Sequence, residues 1–214
     1  MELARILEDS DEVGKKLKKM GLVRSDLIKV IHDAVLARNS CTDNDAANAP
    51  GSLAYFAGTR SLREILRSQG WQINRKDSVE GIVNSIATIK IIFQNVDRAS
   101  EKNWEPRARS KKGPGSERTV SNNQGILFSE EEINRAMPAN KTSAWYLCVS
   151  ENQGIISAEL SLPKSVDCGQ FSGFLERIFL LQDGDGDLPE FSLSNFDDGD
   201  DGDFKEFEVN IARK

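Results

Sequence analysis

The apolar positions in the first seventy residues recur at helical spacing and predict three helices. Residues 2–19 have a sparse apolar stripe that Gly21 ends. From Asp26 to Asn39 the apolar positions fall on one helix face, with Ser25 as a suitable N-cap. Residues 60–69 form a third pattern, which begins after a capping Thr59 and ends at Gly70. The proline, glycine and Asn/Asp content of residues 40–58 predicts a loop.

After Trp71 the period changes from helical to alternating, which predicts strands. A short polar turn joins two of them into a hairpin. On the second hairpin strand Ile156, Ala158, Leu160 and Leu162 are expected to be buried, and the alternating Ser157, Glu159 and Ser161 to face solvent. The predicted strands are Ser85–Phe93, Ser143–Val149, Gly154–Leu162, Gly173–Leu181 and Phe204–Ala212.

These elements predict an α+β fold in which N-terminal helices pack on a mostly antiparallel sheet of about five strands. Residues 98–142 separate the first strand from the hairpin and are rich in Gly, Pro, Ser, Asn and charge. Such a segment is too long for an ordinary loop and predicts a flexible, basic and polar insertion. The helical front and first strand would then occupy residues 1–97, and residues 143–214 would complete the same domain.

Charge is distributed unevenly along the 214 residues, whose net charge is −6. Residues 1–140 hold 22 Lys and Arg against 19 Asp and Glu, whereas residues 141–214 hold 6 against 15. The mildly basic front and the acidic rear predict a charged partner for one half, or attraction between the halves. The acidic rear includes a loop with eight aspartates between residues 183 and 203.

Other compositional features narrow the classes of function. The N-terminus lacks a secretory pattern, and no apolar run approaches the ~20 residues of a membrane span. We therefore expect a cytoplasmic protein without a membrane partner. Cys41, Cys148 and Cys168 are odd in number and widely spaced. A disulfide scaffold needs an even number and a zinc site needs close pairs, so we expect reduced thiols and no cofactor.

Basic residues in the front half predict a nucleic-acid-binding surface. A mobile cationic stretch gains affinity for a polyanion by releasing counterions, and a neighbouring aromatic ring adds stacking. The alternatives are a solvated linker and an ordinary exposed helix face. The candidate residues are Arg107, Arg109, Lys111, Lys112 and Arg118 of the insertion, Trp104 for stacking, and Arg60, Arg63 and Arg67 on one face of the third helix.

The aspartates near the C-terminus allow three interpretations. A calcium loop starting at Asp183 matches at Asp185 and Asp187 but has Leu188 where glycine is required and Ser194 where glutamate is required. An array of carboxylates that mimics DNA needs a rigid backbone, which the interspersed glycines oppose. A flexible acidic loop beside a strand remains the simplest interpretation.

Catalytic patterns are weak. His32 is the only histidine, and nine residues of helix would turn it away from Cys41. Asp203 and Lys205 fit the triplet of a metal-dependent nuclease, with Asp200 or Glu159 as partner. A triplet this permissive is frequent by chance in acidic chains. We expect no catalytic residue.

The stretches AGTRSLREILRSQGW, RARSKKGP, WYLCV and AELSLP resemble a group of bacterial and prophage-borne proteins that have no established activity. The resemblance implies a mobile-element or phage–host context and transfers no site. The sequence thus predicts a non-enzymatic nucleic-acid-binding protein. One alternative is an acidic inhibitor that binds a basic host protein, and another is a metal-dependent nuclease. In the first case the acidic rear is hypothesised to cover the basic surface and weaken binding.

Overall fold

The structure is a computed structural model that describes residues 4–123, 142–152 and 154–182. Within these ranges the chain forms helices and strands in an order that mixes both types from the start. They are β1 (Arg5–Leu7), α1 (Ser10–Lys19), α2 (Arg24–Asn39), α3 (Ala49–Ser68), β2 (Gln72–Asn74), a 3-10 turn (Lys76–Ser78), β3 (Gly81–Asn84), β4 (Ile89–Asn95), α4 (Pro114–Ser121), β5 (Ser143–Asn152), β6 (Ile155–Pro163), β7 (Val166–Asp167), β8 (Gln170–Phe171) and β9 (Phe174–Leu181).

Seven strands form one mixed sheet in the order β1-β9-β6-β5-β4-β3-β2. The β1–β9 and β4–β5 pairs are parallel, and the other four neighbouring pairs are antiparallel. Strands β7 and β8 form a separate small hairpin. The α+β, mostly antiparallel prediction is confirmed, but the main sheet has seven strands and not about five.

The first face of the sheet packs against α1, α2 and α3 through a continuous apolar core. On β4 and β5 the inward positions alternate, as in Ile91, Phe93 and Leu147, and each of these side chains is buried. The helices contribute the residues Val13, Leu17, Leu27, Val30, Ile31, Ala34, Leu62 and Leu66. Burial of this apolar surface is the main favourable term in folding.

The second face is covered by residues 97–113, which are mainly irregular, together with α4 and the β7–β8 hairpin. Its apolar cluster includes Tyr146, Phe171 and Phe174, whose rings meet edge to face. Among the fully buried residues of this face are Glu159 and Arg177. The prediction that Ser157, Glu159 and Ser161 face solvent is therefore wrong for Glu159 and Ser161, because a distant segment covers them.

The predicted helix boundaries change at three places. Helix α2 begins at Arg24, so the predicted N-cap Ser25 lies inside the helix, and Val23 stands at the N-cap without a side-chain hydrogen bond. Residues 5–7 of the predicted first helix instead form β1 beside β9, and the helix begins at Ser10, where the Asp9 carboxylate accepts hydrogen bonds from the amides of Asp11 and Glu12. Helix α3 begins ten residues before the predicted cap Thr59. Pro50 is compatible with this earlier start because it lies in the first turn, where its missing N–H costs no helical hydrogen bond. Residues 49–58 are thus helical and not loop.

The predicted strand at residues 85–93 begins later, at Ile89. A turn precedes it, in which the Asn84 side chain accepts hydrogen bonds from the amides of Ile86 and Ala87. Strands β1, β2 and β3 were not predicted, since each spans only three or four residues. The predicted strand at residues 204–212 and the acidic loop lie outside the described residues.

The predicted flexible insertion is only partly within the described ranges. Residues 98–123 are described, and they pack on the second face. Asn123 ends this segment fully buried: its side-chain amide donates to the carbonyls of Ala144 and Pro163 and accepts from the Ala144 amide. Residues 98–123 of the predicted insertion thus follow a defined path on the sheet, while residues 124–141 lie outside the described part.

Candidate nucleic-acid interface

The segment from Asp97 to Lys112 crosses the edge of the second face in a fixed path. Ala108 forms an antiparallel bridge with Val96, and the Gln170 side chain both donates to and accepts from the Ala108 backbone at 3.0 Å. The Arg109 amide donates to the Asn95 carbonyl at 3.0 Å. The backbone that carries the predicted basic residues is therefore held by the sheet.

Trp104 lies in this segment between two arginines. The guanidinium of Arg98 is 4.6 Å from the centre of its ring system, and that of Arg107 is 5.9 Å away. The indole N–H donates to an oxygen of Asp97 at 3.2 Å, and the other oxygen of Asp97 accepts from the Arg107 amide at 2.8 Å. Trp104 is thus oriented as a half-exposed platform flanked by positive charge.

Arg109 is exposed, and only neutral groups hold it. Its Nε donates to the Val96 carbonyl and its Nη2 to the Asn152 side-chain oxygen, both at 3.0 Å. It forms no ion pair within the described residues. Its hydrogen-bond partners are therefore neutral, and the nearby Glu151 carboxylate, which lines a small cavity together with Arg109, is bound by Arg38.

Lys111 and Lys112 are adjacent in sequence and differ in environment. Lys111 is exposed. The Lys112 ammonium donates to the Gln94 side-chain oxygen and lies 5.1 Å from the Tyr146 ring centre and 5.2 Å from that of Phe171. Burial lowers the pKa of Lys112 to about 8. Lys112 therefore does not belong to the open basic surface.

The remaining predicted cations divide into paired and unpaired residues. Arg118, on α4, pairs with Asp77 at 3.0 Å. Arg63, on α3, pairs with Glu80, and this hydrogen bond is the main reason that the pKa of Glu80 lies below its ordinary value. Arg60 and Arg67 are exposed on the same helix. The predicted arginine stripe thus presents two exposed side chains, because Arg63 turns toward Glu80.

Two open cavities share Arg109 as a lining residue, and we call this surface the Arg109 groove. The cavity of about 710 Å³ is bounded by Trp104 and Arg98, and the one of about 530 Å³ by Tyr55 and Phe56. Phe56 is 59% exposed, which is high for a large aromatic side chain. The groove therefore has an aromatic side chain on each side of a fixed arginine.

The wall of the groove near Ser100 is anchored by a buried ion pair. Arg177 binds both oxygens of Glu159, at 2.8 and 2.6 Å, and the Ser100 amide donates to the same carboxylate at 2.6 Å. The Ser161 hydroxyl donates to Glu159 as well, and the third guanidinium nitrogen of Arg177 donates to the Glu101 carbonyl. Every polar group of this pair has a partner.

This network bears on the nuclease hypothesis. Because Arg177, Ser161 and Ser100 bind both oxygens of Glu159, that carboxylate is not free to hold a metal ion. The other residues of the hypothesis, Asp200, Asp203 and Lys205, lie outside the described ranges. In the described part of the chain no group of three or more His, Cys, Asp or Glu side chains is placed to hold a metal.

The cysteines give no nucleophilic site in the described structure. Burial, followed by the charge of Glu159, raises the pKa of Cys148 well above its ordinary value, so this thiol is not activated. Cys148 faces the second side of the sheet, whereas α2, which carries His32, packs on the first. Asp167 raises the pKa of the exposed Cys168.

Comparisons of the chain with protein-family models, curated proteins and solved structures found no match. The fold and the groove therefore carry the functional argument. In the described residues no helix is long and apolar enough to cross a membrane.

Sequence reasoning missed three residues that shape this surface. The sequence predicts a loop around Phe56, but this residue lies in α3 and its side chain is exposed. Asp97 orients Trp104, and no local pattern identifies that contact. Tyr146 alternates correctly in a predicted strand, but its proximity to Lys112 depends on the tertiary fold.

Proposed function

We propose that this protein binds single-stranded nucleic acid in the Arg109 groove, without catalysis. The observation that carries the proposal is the pair of cavities that share Arg109 as a lining residue, with Trp104 lining one and Phe56 lining the other. Aromatic rings spaced along a basic groove are the recurring means of binding single strands without sequence preference.

The charges around the groove favour phosphate. Arg107 and Lys111 are exposed, and Arg109 has only neutral hydrogen-bond partners. Arg98 is also exposed, but it lies 3.7 Å from the carboxylate of Glu101, which lines the larger cavity too. The Asp97 carboxylate, which would repel a phosphate, accepts hydrogen bonds from Trp104 and from the Arg107 amide. Arginine suits such contacts because its planar donors match phosphate oxygens.

A single strand fits this surface better than a duplex. Stacking on Trp104 or Phe56 requires an exposed base face, which an intact duplex offers only at its ends. The exposed Arg60 and Arg67 on α3 provide supporting charge. The phage or mobile-element context stays a prediction from the resemblance.

Fluorescence titration tests the proposal, because Trp71 and Trp145 are buried, each 4% exposed, and Trp104 is the accessible tryptophan. A thymidine oligonucleotide of about 12 nucleotides, within the usual site sizes, should quench this emission. Trp104→Ala should weaken binding, measured by anisotropy of a labelled strand, by roughly 5- to 150-fold. Arg109→Gln should reduce the slope of log affinity against log salt by about 0.7.

The matched control is Arg118→Gln, which removes the same charge from a residue paired with Asp77 outside the groove. It should leave affinity within about twofold, as expected for a distant exposed pair. Equal losses of affinity for Arg109→Gln and Arg118→Gln would show that binding depends on the net charge of the protein and not on the groove. The absence of any salt-dependent binding to single strands would refute the proposal.

The hypothesis that the acidic rear competes for the groove can be tested on the same strand. Deleting Asp197–Asp203 should tighten binding at fixed salt, and unchanged affinity would exclude competition by that segment. The inhibitor alternative predicts instead that DNA is not bound while a basic host protein forms a stoichiometric complex. The nuclease alternative predicts magnesium-dependent cleavage that Lys205→Ala abolishes.

A further inference from the structure

A smaller cavity lies beside the Arg109 groove and has a different chemistry. Its volume is about 220 Å³, below the range of roughly 300–1,000 Å³ for drug-sized ligands. Residues from β4, β5, the 97–113 segment and α4 surround it. Among the side chains that line it are Lys112, Tyr146, Ser116, Gln94 and Glu80.

Lys112 supplies this cavity with a half-buried amine that has no carboxylate partner in the described residues. Its ammonium contacts a neutral amide oxygen on Gln94 and the faces of two aromatic rings. No carboxylate within the described residues lies at ion-pair distance from it. A buried charge without an opposite charge is costly, so such a group signals a missing anionic partner.

Tyr146 supplies an independent observation. The residue is fully buried, and its hydroxyl has no hydrogen-bond partner in the described structure. Burial raises the pKa of Tyr146 and the nearby Ser116 side chain opposes that rise, although the two hydroxyls do not reach hydrogen-bond geometry. A buried donor left unpaired costs roughly 1–3 kcal/mol, which a bound acceptor would recover.

The start of α4 adds a third favourable element. The helix begins two residues after Lys112, and Ser116 lies in its first turn. No side chain caps this end, although Glu117 lies in the first turn and compensates part of the N-terminal dipole. The one carboxylate on the cavity wall, Glu80, is already paired with Arg63 and lies 3.3 Å from Arg75.

We propose that this cavity binds a phosphate group, with the Lys112 ammonium and the Tyr146 and Ser116 hydroxyls as its donors. The proposal does not rest on nucleic-acid binding in the groove. The phosphate can belong to a free small molecule or to the end of a nucleic-acid strand, and the experiment separates these sources.

Isothermal titration with inorganic phosphate at constant ionic strength tests the site in the full-length chain. The wild type should bind one phosphate. Lys112→Met keeps the packing of the side-chain stem and should weaken binding by roughly 10- to 150-fold, whereas Tyr146→Phe should weaken it by roughly 2- to 10-fold. Lys102→Met is the matched control, since Lys102 pairs with Glu8 on the surface at 2.7 Å.

Thermal unfolding separates lost binding from lost folding. Both cavity variants should retain cooperative unfolding without phosphate, and phosphate should raise Tm most for the wild type and the Lys102→Met control, less for Tyr146→Phe and least for Lys112→Met. The proposal is wrong if the wild type binds no phosphate, or if Lys112→Met and Tyr146→Phe bind it as the wild type does.

Two oligonucleotides that differ only in a 5′-phosphate or 5′-hydroxyl identify the source. Tighter binding of the phosphorylated strand, lost in Lys112→Met, would assign the site to a strand end. Phosphate binding with equal affinity for both strands would assign it to a small molecule. Failure of all oligonucleotide binding with retained phosphate binding would refute the proposed function and leave this site standing.

Discussion

The two faces of the sheet solve the same problem of burial by different chemistry. The first face buries aliphatic side chains beneath α1, α2 and α3. The second face buries the Glu159–Arg177 ion pair, Lys90 and several hydroxyls beneath a largely irregular segment. Apolar packing depends on volume and tolerates exchange of similar side chains, whereas buried polar groups depend on specific partners. The second face, which is also the face beside the groove, is therefore the more easily damaged.

The largest expected effect is on the Glu159–Arg177 pair. Arg177→Met leaves the Glu159 carboxylate buried without its counterion, and should lower the free energy of unfolding by about 3–5 kcal/mol. Urea denaturation measures this loss. The double variant Glu159→Leu/Arg177→Met should recover part of it, because no charge is then left buried.

A partly exposed ion pair is the control for this comparison. Arg38 binds Glu151 at 2.7 Å, and the two side chains are 25% and 16% exposed. Arg38→Met should cost about 1 kcal/mol, since solvent screens such a pair. Equal losses at Arg38 and Arg177 would show that the second face is not the more sensitive one.

A smaller effect should appear on the first face at Gly58 in α3. An added methyl group there would overlap the Phe93 ring, because helix and sheet approach closely at this point. Gly58→Ala should therefore destabilise the protein by about 1–3 kcal/mol despite the better helix propensity of alanine.

Gly51, in the first turn of the same helix, is the matched control. A methyl group at Gly51 meets no atom within 4 Å. Gly51→Ala should be neutral or stabilise the protein by up to about 1 kcal/mol. If both substitutions gave the same change in urea midpoint, α3 would not approach β4 closely at Gly58.

The smallest expected effect concerns pH and Lys112. Its pKa is about 8, below the ordinary 10.5, so the unfolded chain binds the additional proton between these values and stability rises with pH across that window. Relative to the wild type, Lys112→Met should be more stable by about 1–2 kcal/mol at pH 7 without phosphate. This difference should shrink toward pH 10.5.

The measurement is the difference between variant and wild-type unfolding curves, because other groups also titrate in this range. Lys90 has its pKa lowered to about 8 by burial, and the buried Cys148 has its pKa raised. The contribution of Lys90 cancels in the difference. That of Cys148 cancels only in part, because the charges of Cys148 and Lys112 act on each other. Lys111→Met, at an exposed site, should show no such pH dependence.

The comparison of the two faces also explains which predictions succeeded. The helix at 26–39 and the strands near 143–149, 154–162 and 173–181 followed from apolar periodicity, and each is present with ends that differ by a few residues. The short β1, β2 and β3 could not be predicted from period, since they hold three or four residues and depend on pairing with a neighbouring strand.

The candidate site was predictable in part. The basic residues and Trp104 were identified from the sequence, but the ion pairing and the solvent exposure of each residue were not. A sequence shows which residues are charged but not which partners they have. It therefore could not separate the exposed Arg107 and Lys111 from residues in other environments. These are Arg63, which pairs with Glu80, Arg118, which pairs with Asp77, and Lys112, which lines a cavity. Phe56 was assigned to a loop, since the start of α3 was placed too late.

The sequence by itself determined an α+β chain whose central helix and longest strands have one clear apolar face each. It did so because local periodicity records which side of an element is shielded by its nearest layer. Only the tertiary structure decided that residues 97–113 cover the opposite side of the sheet. That cover turns Glu159 from a solvent-facing residue into a buried ion-pair partner, positions Arg109 between two cavities and encloses Lys112 beside Tyr146. Contacts between segments far apart in sequence leave no period, and in this protein they shape the candidate sites.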